Sequence, residues 1–198
     1  MNSVNSLIDK KSESLLGRPG MAAPSRANLE KLLDQLEKSA VPPDDEWLAR
    51  VAQEIAKVFR VQPDEVAVLE ISANGLGLKF VLPEKLRPVG SIPLSSPVAL
   101  AARSARERRS DIVNSFGSSR HAIVFEGVPL GRRQGESIHK IMSAPILRGD
   151  KVIGVTQISR KGQTAADCGP DFTPENMKEL QALNTLLGRF LTLCKPAA

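Results

Sequence analysis

The chain has 198 residues, 41% of them hydrophobic, and 27 basic against 22 acidic side chains for a formal charge of +5. That length suffices for one sizeable core and is short for two full domains, and the apolar content excludes disorder throughout. Apolar runs of only a few residues exclude a membrane-spanning helix. Cytoplasmic residence is therefore the expectation, since residues 1 to 20 are polar and broken by Gly17, Pro19 and Gly20 rather than built as a secretory leader.

In chain order, residues 1 to 25 read as a disordered tail rich in Ser, Gly, Pro and charge. A helix is expected within 26 to 40, because Leu29, Leu32, Leu33 and Leu36 recur at helical spacing before Pro42 and Pro43. Asp44 or Asp45 caps a second helix whose stripe is Trp47, Leu48, Val51, Ile55, Val58 and Phe59. Each stripe has two uses: covering a sheet, or pairing with a second copy as a heptad seam does. The stripe alone leaves both uses open for the first helix.

From residue 65 the period changes to two. Residues 65 to 72 and 76 to 83 form a hairpin about Asn74-Gly75, and residues 91 to 94 add a short strand that Pro93 confines to an edge. A helix over 97 to 107 carries Val98, Leu100, Ala101 and Ala105 on one face and Arg103, Arg106 and Glu107 on the other. A strand over 111 to 114 follows. Residues 115 to 137 form the longest irregular segment, with apolar anchors at Phe116, Phe125 and Val128, and are expected to close over a site as a lid. Residues 138 to 147 and 151 to 161 make a second hairpin about Arg148-Gly149-Asp150, and Thr173 with Pro174 opens a last helix whose stripe runs from Leu180 to Cys194. The sum is an α+β domain, with six antiparallel strands carrying helices on one face and a helix and loop layer on the other.

Generic chemistry is sparse in this chain. Cys168 and Cys194 make neither a metal spacing nor a disulfide framework, and no metal site is expected. His121, next to Arg120, could meet an anionic ligand or stand solvated in its loop, and His139 reads as an outward position on a strand. No nucleophile elbow is visible, and GVPLGRRQG (127 to 135) lacks the Lys-Ser/Thr ending of a phosphate loop. Six Phe, one Trp and no Tyr leave the basic residues without the interleaved aromatics on which bases stack, so no nucleic-acid partner is expected.

MSAPILRGDKVIGV, a basic strand end at Arg160-Lys161, and Phe172-Thr173-Pro174-Glu175 opening the last helix resemble the GAF domain, a small-molecule sensor family, over roughly residues 45 to 194. The resemblance implies a GAF-like, profilin-like fold over 44 to 194 and a non-enzymatic sensory domain that signals through a homodimer of terminal helices. It places an unidentified small molecule between the sheet and a layer made by helix 97 to 107 and the lid, with Phe80, Ser96, Asn114, Phe116, His121, Ser143 and Thr156 as candidate ligand-binding residues. Its cyclic-nucleotide branch carries an Asn-Lys, Phe, Asp-Glu signature. Here the matching positions hold Arg160-Lys161, Phe172 and Asn176-Met177, so only Lys161 and Phe172 are kept. Its sulfoxide-reductase and bilin branches use pocket cysteines, and this chain has none before Cys168. The identity of any cofactor stays open. The alternatives are a ligand-free interaction module, a cyclic-nucleotide site, or an enzyme acting through the lid.

Overall fold

The computed structural model describes residues 24–39, 41–116 and 136–194. Along them run α1 (Pro24–Ser39), α2 (Asp45–Phe59), β1 (Val66–Ile71), β2 (Gly77–Leu82), β3 (Ser91–Pro93), α3 (Leu100–Glu107), β4 (Asp111–Val113), β5 (Ser137–Arg148), β6 (Lys151–Gly162) and α4 (Pro174–Leu193). The strands form one six-stranded sheet in the order β3-β2-β1-β6-β5-β4, and every neighbouring pair is antiparallel.

The local chemistry that fixes these elements is the kind read from the sequence. The Asp44 carboxylate accepts from the Trp47 amide at 3.0 Å and starts α2, which ends where Arg60 turns left-handed at φ 53°. Thr173 accepts from the Asn176 amide while the Asn176 side chain accepts from the Thr173 amide, a reciprocal cap with Pro174 in the first turn. The two hairpin turns carry Gly75 at φ 71° and Gly149 at φ 57°, where a side chain would be strained. Helix α3 is shorter than its pattern, starting at Leu100 and leaving Val98 37% exposed.

The sheet divides two apolar layers. On one face α1, α2 and α4 pack with Val66, Val68, Val81, Met142, Ala144, Ile146 and Ile158. On the other, α3 and the 3-10 turn of Glu84–Val89 cover Leu69, Leu78, Phe80 and Val155, with Phe116 and Ile141 beside them. Helix α1 is built into the first layer: Leu29, Leu32, Leu33 and Leu36 are all buried, and Arg189 of α4 pairs with Asp34 at 2.7 Å and with Glu37. The leucine stripe read as a seam for a second copy is thus covered within the protomer.

Among the described residues no helix is long and apolar enough to cross a membrane. Both cysteines are free: the Cys168 thiol donates to the Ala165 carbonyl at 3.1 Å, and burial pushes the Cys194 thiol up to about 12.

Candidate functional site

From Val155 onward strand β6 alternates, so Val155, Gln157, Ser159 and Lys161 turn to the α3 face while Thr156, Ile158 and Arg160 turn to the helical layer. Gln157 lies between Ala67 of β1 and Ser143 of β5, and Ser159 is opposite Ile141. Ala67, Ile141, Gln157 and Ser159, with Phe80, Leu86, Pro83 and Ile138, line a cavity of about 30 Å³, room for one or two waters.

The polar groups on this face of the sheet are already connected. The Ser104 and Ser143 hydroxyls are 2.8 Å apart, and Gln157 Nε2 donates to Ser143 Oγ at 3.2 Å, all three side chains being buried. Ser159 Oγ donates to the Glu65 carbonyl at 3.1 Å, and Lys161 Nζ reaches Asp64 Oδ2 at 2.7 Å and the Asp64 carbonyl at 2.8 Å. The Glu65 carboxylate accepts from the Gln62 amide at 2.7 Å and from the Lys161 amide. Burial raises its pKa, and those two backbone donors and the Lys161 charge only partly offset the loss of water.

That direction makes Glu65 a source of pH dependence. The unfolded chain releases the proton at lower pH than the folded chain, so the folded state binds more protons between the two values and stability falls as pH rises through that window. Urea unfolding from pH 4 to pH 7 is expected to show this decline, and Glu65→Gln to flatten it. An unchanged slope in the variant would remove Glu65 from the account.

The expected site residues separate by face. Phe80, Phe116 and Ser143 lie on the α3 side, Phe80 on the cavity wall and Phe116 against Leu100 and Ile141. Ser96 stands at the entry to α3, where its hydroxyl accepts from the Ala99 amide at 3.2 Å and its carbonyl from Arg106 at 2.9 Å. Asn114 staples the loop before α4, donating to the Phe172 carbonyl at 3.0 Å and accepting from the Phe172 amide at 2.9 Å. Thr156 must be corrected: it faces the helical layer and donates to Asn184 Oδ1 at 2.8 Å, because it pairs with Ala144 while Ser143 pairs with Gln157. His121 and the lid residues Phe125 and Val128 lie outside the described residues.

Gln157, Ser159, Lys161 and Glu65 were not foreseen as lining residues. Alternation alone could have grouped the first three, but choosing the correct parity needed the register against β5. The residues matching the nucleotide signature are largely engaged in holding the fold. Arg160 donates to the Phe59 carbonyl at 3.1 Å at the end of α2 and stacks 4.6 Å over Phe172, and Asn176 caps α4. His139 Nε2 sits 3.2 Å from the Gly162 carbonyl. Among the described residues no group of three His, Cys, Asp or Glu side chains could hold a metal ion.

The family model for the GAF domain matches residues 45–191. The chain belongs to the GAF domain family. No curated protein matches it. Solved structures share the fold at low identity. The GAF domain of an Acinetobacter phosphoenolpyruvate-protein phosphotransferase superposes with TM-score 0.60 at 15% identity, covering 87% of this chain and 95% of that one. Residues 122 to 287 of a methyl-accepting chemotaxis protein give 0.57 at 15% identity, covering 81% and 94%. The free methionine-R-sulfoxide reductase of Neisseria meningitidis, solved with its substrate, gives 0.52 at 14% identity, covering 88% and 94%. The GAF scaffold thus appears among these neighbours both in signalling proteins and in an enzyme, and the reading for this GAF domain rests on its own residues.

Proposed function

We propose that this GAF domain is a non-enzymatic regulatory module that binds a small molecule on the α3 face of its sheet. The observation that carries the reading is the connected set Ser104, Ser143 and Gln157, buried on a face otherwise lined by Leu69, Phe80, Ile141 and Val155. Buried polar groups on an apolar wall orient a ligand by directed hydrogen bonds, the composition that small-molecule sites require. The ligand would enlarge the present cavity by moving the cover rather than the sheet, since the sheet is held on its other face by three helices.

Output passes through the helical layer of α1, α2 and α4. Two copies joined through these helices would meet on the outer face of α1, at Asn28, Glu30, Lys31, Gln35 and Lys38, because the leucines are covered. A second reading, a ligand-free interaction module, draws on the small volume of the cavity.

A thermal-shift screen of the full chain against nucleotides, amino acids and metabolites separates the two. A ligand present at 100 times its Kd stabilises the folded state by about 2.7 kcal/mol, a rise of roughly 5 to 10 °C for a domain of this size. At least one such rise is expected. A flat response across the library would favour the interaction module.

A further inference from the structure

A second concavity lies on the opposite side of the sheet edge. Leu48, Ala49 and Ala52 of α2, Leu82 and Pro83 at the end of β2, and Pro63 enclose a groove of about 330 Å³, and Asp64, Glu84 and Lys85 rim it. The volume falls in the range of small-molecule sites, some tenfold above the α3-face cavity. Two prolines and a packed helix make its walls, so little ordering is needed to fill it.

The rim decides what fits. Asp64 is already paired with Lys161 at 2.7 Å. Glu84 is half-buried at the groove and, among the described residues, its carboxylate has no hydrogen bond or ion pair. Among the described residues Lys85 is the only basic one lining the groove, and it is exposed. Leu48, Ala52 and Leu82 give the same groove an apolar lining. We infer that this groove is a separate binding site for a small organic cation, an amine whose apolar body lies on Leu48, Ala52 and Leu82 and whose ammonium group pairs with Glu84. The groove and the α3-face cavity share Asp64 and Pro83 as walls, so an occupant of one contacts residues that line the other. The assignment does not depend on a ligand in the α3-face cavity.

Matched probes test it: 2-phenylethylamine, 2-phenylethanol and phenylacetate, titrated into the full chain and followed by amide NMR. The amine is expected to shift the amides of Ala49, Ala52 and Lys85 and to bind about three- to fivefold more tightly than the alcohol, the strength of one partly exposed ion pair, with the acid weakest. Glu84→Gln should bring the amine to the alcohol's level, and Ala49→Trp, at an exposed wall position, should block both. Equal binding of amine and alcohol, shifts confined to Gln157 and Ser159, or no shifts at all would overturn the assignment.

Discussion

Replacing Gly154 with alanine is expected to destabilise the domain by about 3 kcal/mol or more, and replacement with valine to leave little folded protein. A Cβ at this position would lie 2.3 Å from the Leu69 carbonyl oxygen and 2.6 Å from Leu191 Cδ1. The leucine tip can rotate away, but the carbonyl belongs to β1 and is fixed by its pairing with β6. Elsewhere in a strand, adding a methyl group to glycine would stabilise slightly, because it narrows the unfolded ensemble. At Gly154 the steric term wins because strand and helix close on the same point. Gly188 in α4 is the internal comparison: its nearest atom would be the Leu147 carbonyl at 3.4 Å, an ordinary contact, so Gly188→Ala should stabilise by up to about 1 kcal/mol. Urea unfolding of the two variants checks the contrast. Combining Gly154→Ala with Leu191→Ala should not restore stability, and a rescue would show that the side chain rather than the backbone sets the limit.

The second large effect is expected at Asn184, which is 4% exposed in the middle of α4. Its amide nitrogen donates to the Pro145 carbonyl at 2.9 Å and the Ala144 carbonyl at 3.4 Å, and its oxygen accepts from Thr156. Those carbonyls lie where β5 has run past β4, whose pairing reaches only Ser143. Asn184→Leu fits the space but leaves a hydroxyl and a carbonyl buried without partners, at about 1 to 3 kcal/mol each. A net loss of roughly 3 kcal/mol would lower Tm by about 6 to 12 °C. Thr156→Val alone should cost less, and in the double variant the two losses should fall short of their sum, since one bond is removed twice. Strict additivity would mean the Thr156 to Asn184 bond carries no coupling.

What was legible in the chain follows from how local each signal is. The caps at Asp44 and Thr173, the turns at Asn74-Gly75 and Arg148-Gly149, and the period-two runs act within a few residues, and the hairpins follow from them. The resemblance carried by the Val152-Ile153-Gly154-Val155 strand has a steric basis, because only glycine fits against the Leu69 carbonyl. Thr156 went to the wrong face for a non-local reason: its side depends on whether Ala144 or Ser143 opposes it, and a one-residue change of register reverses every side chain on β6. The resemblance puts Asn114 among the candidate ligand contacts, and Phe172, distant in sequence, takes both halves of its amide. The destination of the α1 leucines was open for a similar reason, since a helical stripe does not say whether its cover comes from α2 and α4 or from a second molecule.

The same parity supplies the most direct test of ligand binding on the α3 face. For whichever compound raises Tm in the screen, calorimetric titration should be compared between the unmodified chain, Gln157→Leu and Thr156→Val. Adjacent residues on β6 then report opposite faces of one sheet. The prediction is a Kd weakened at least about tenfold by Gln157→Leu, roughly 1.4 kcal/mol, with Thr156→Val binding as the unmodified chain does. Equal affinity in all three proteins, or loss only in Thr156→Val, would contradict a ligand held on the α3 face.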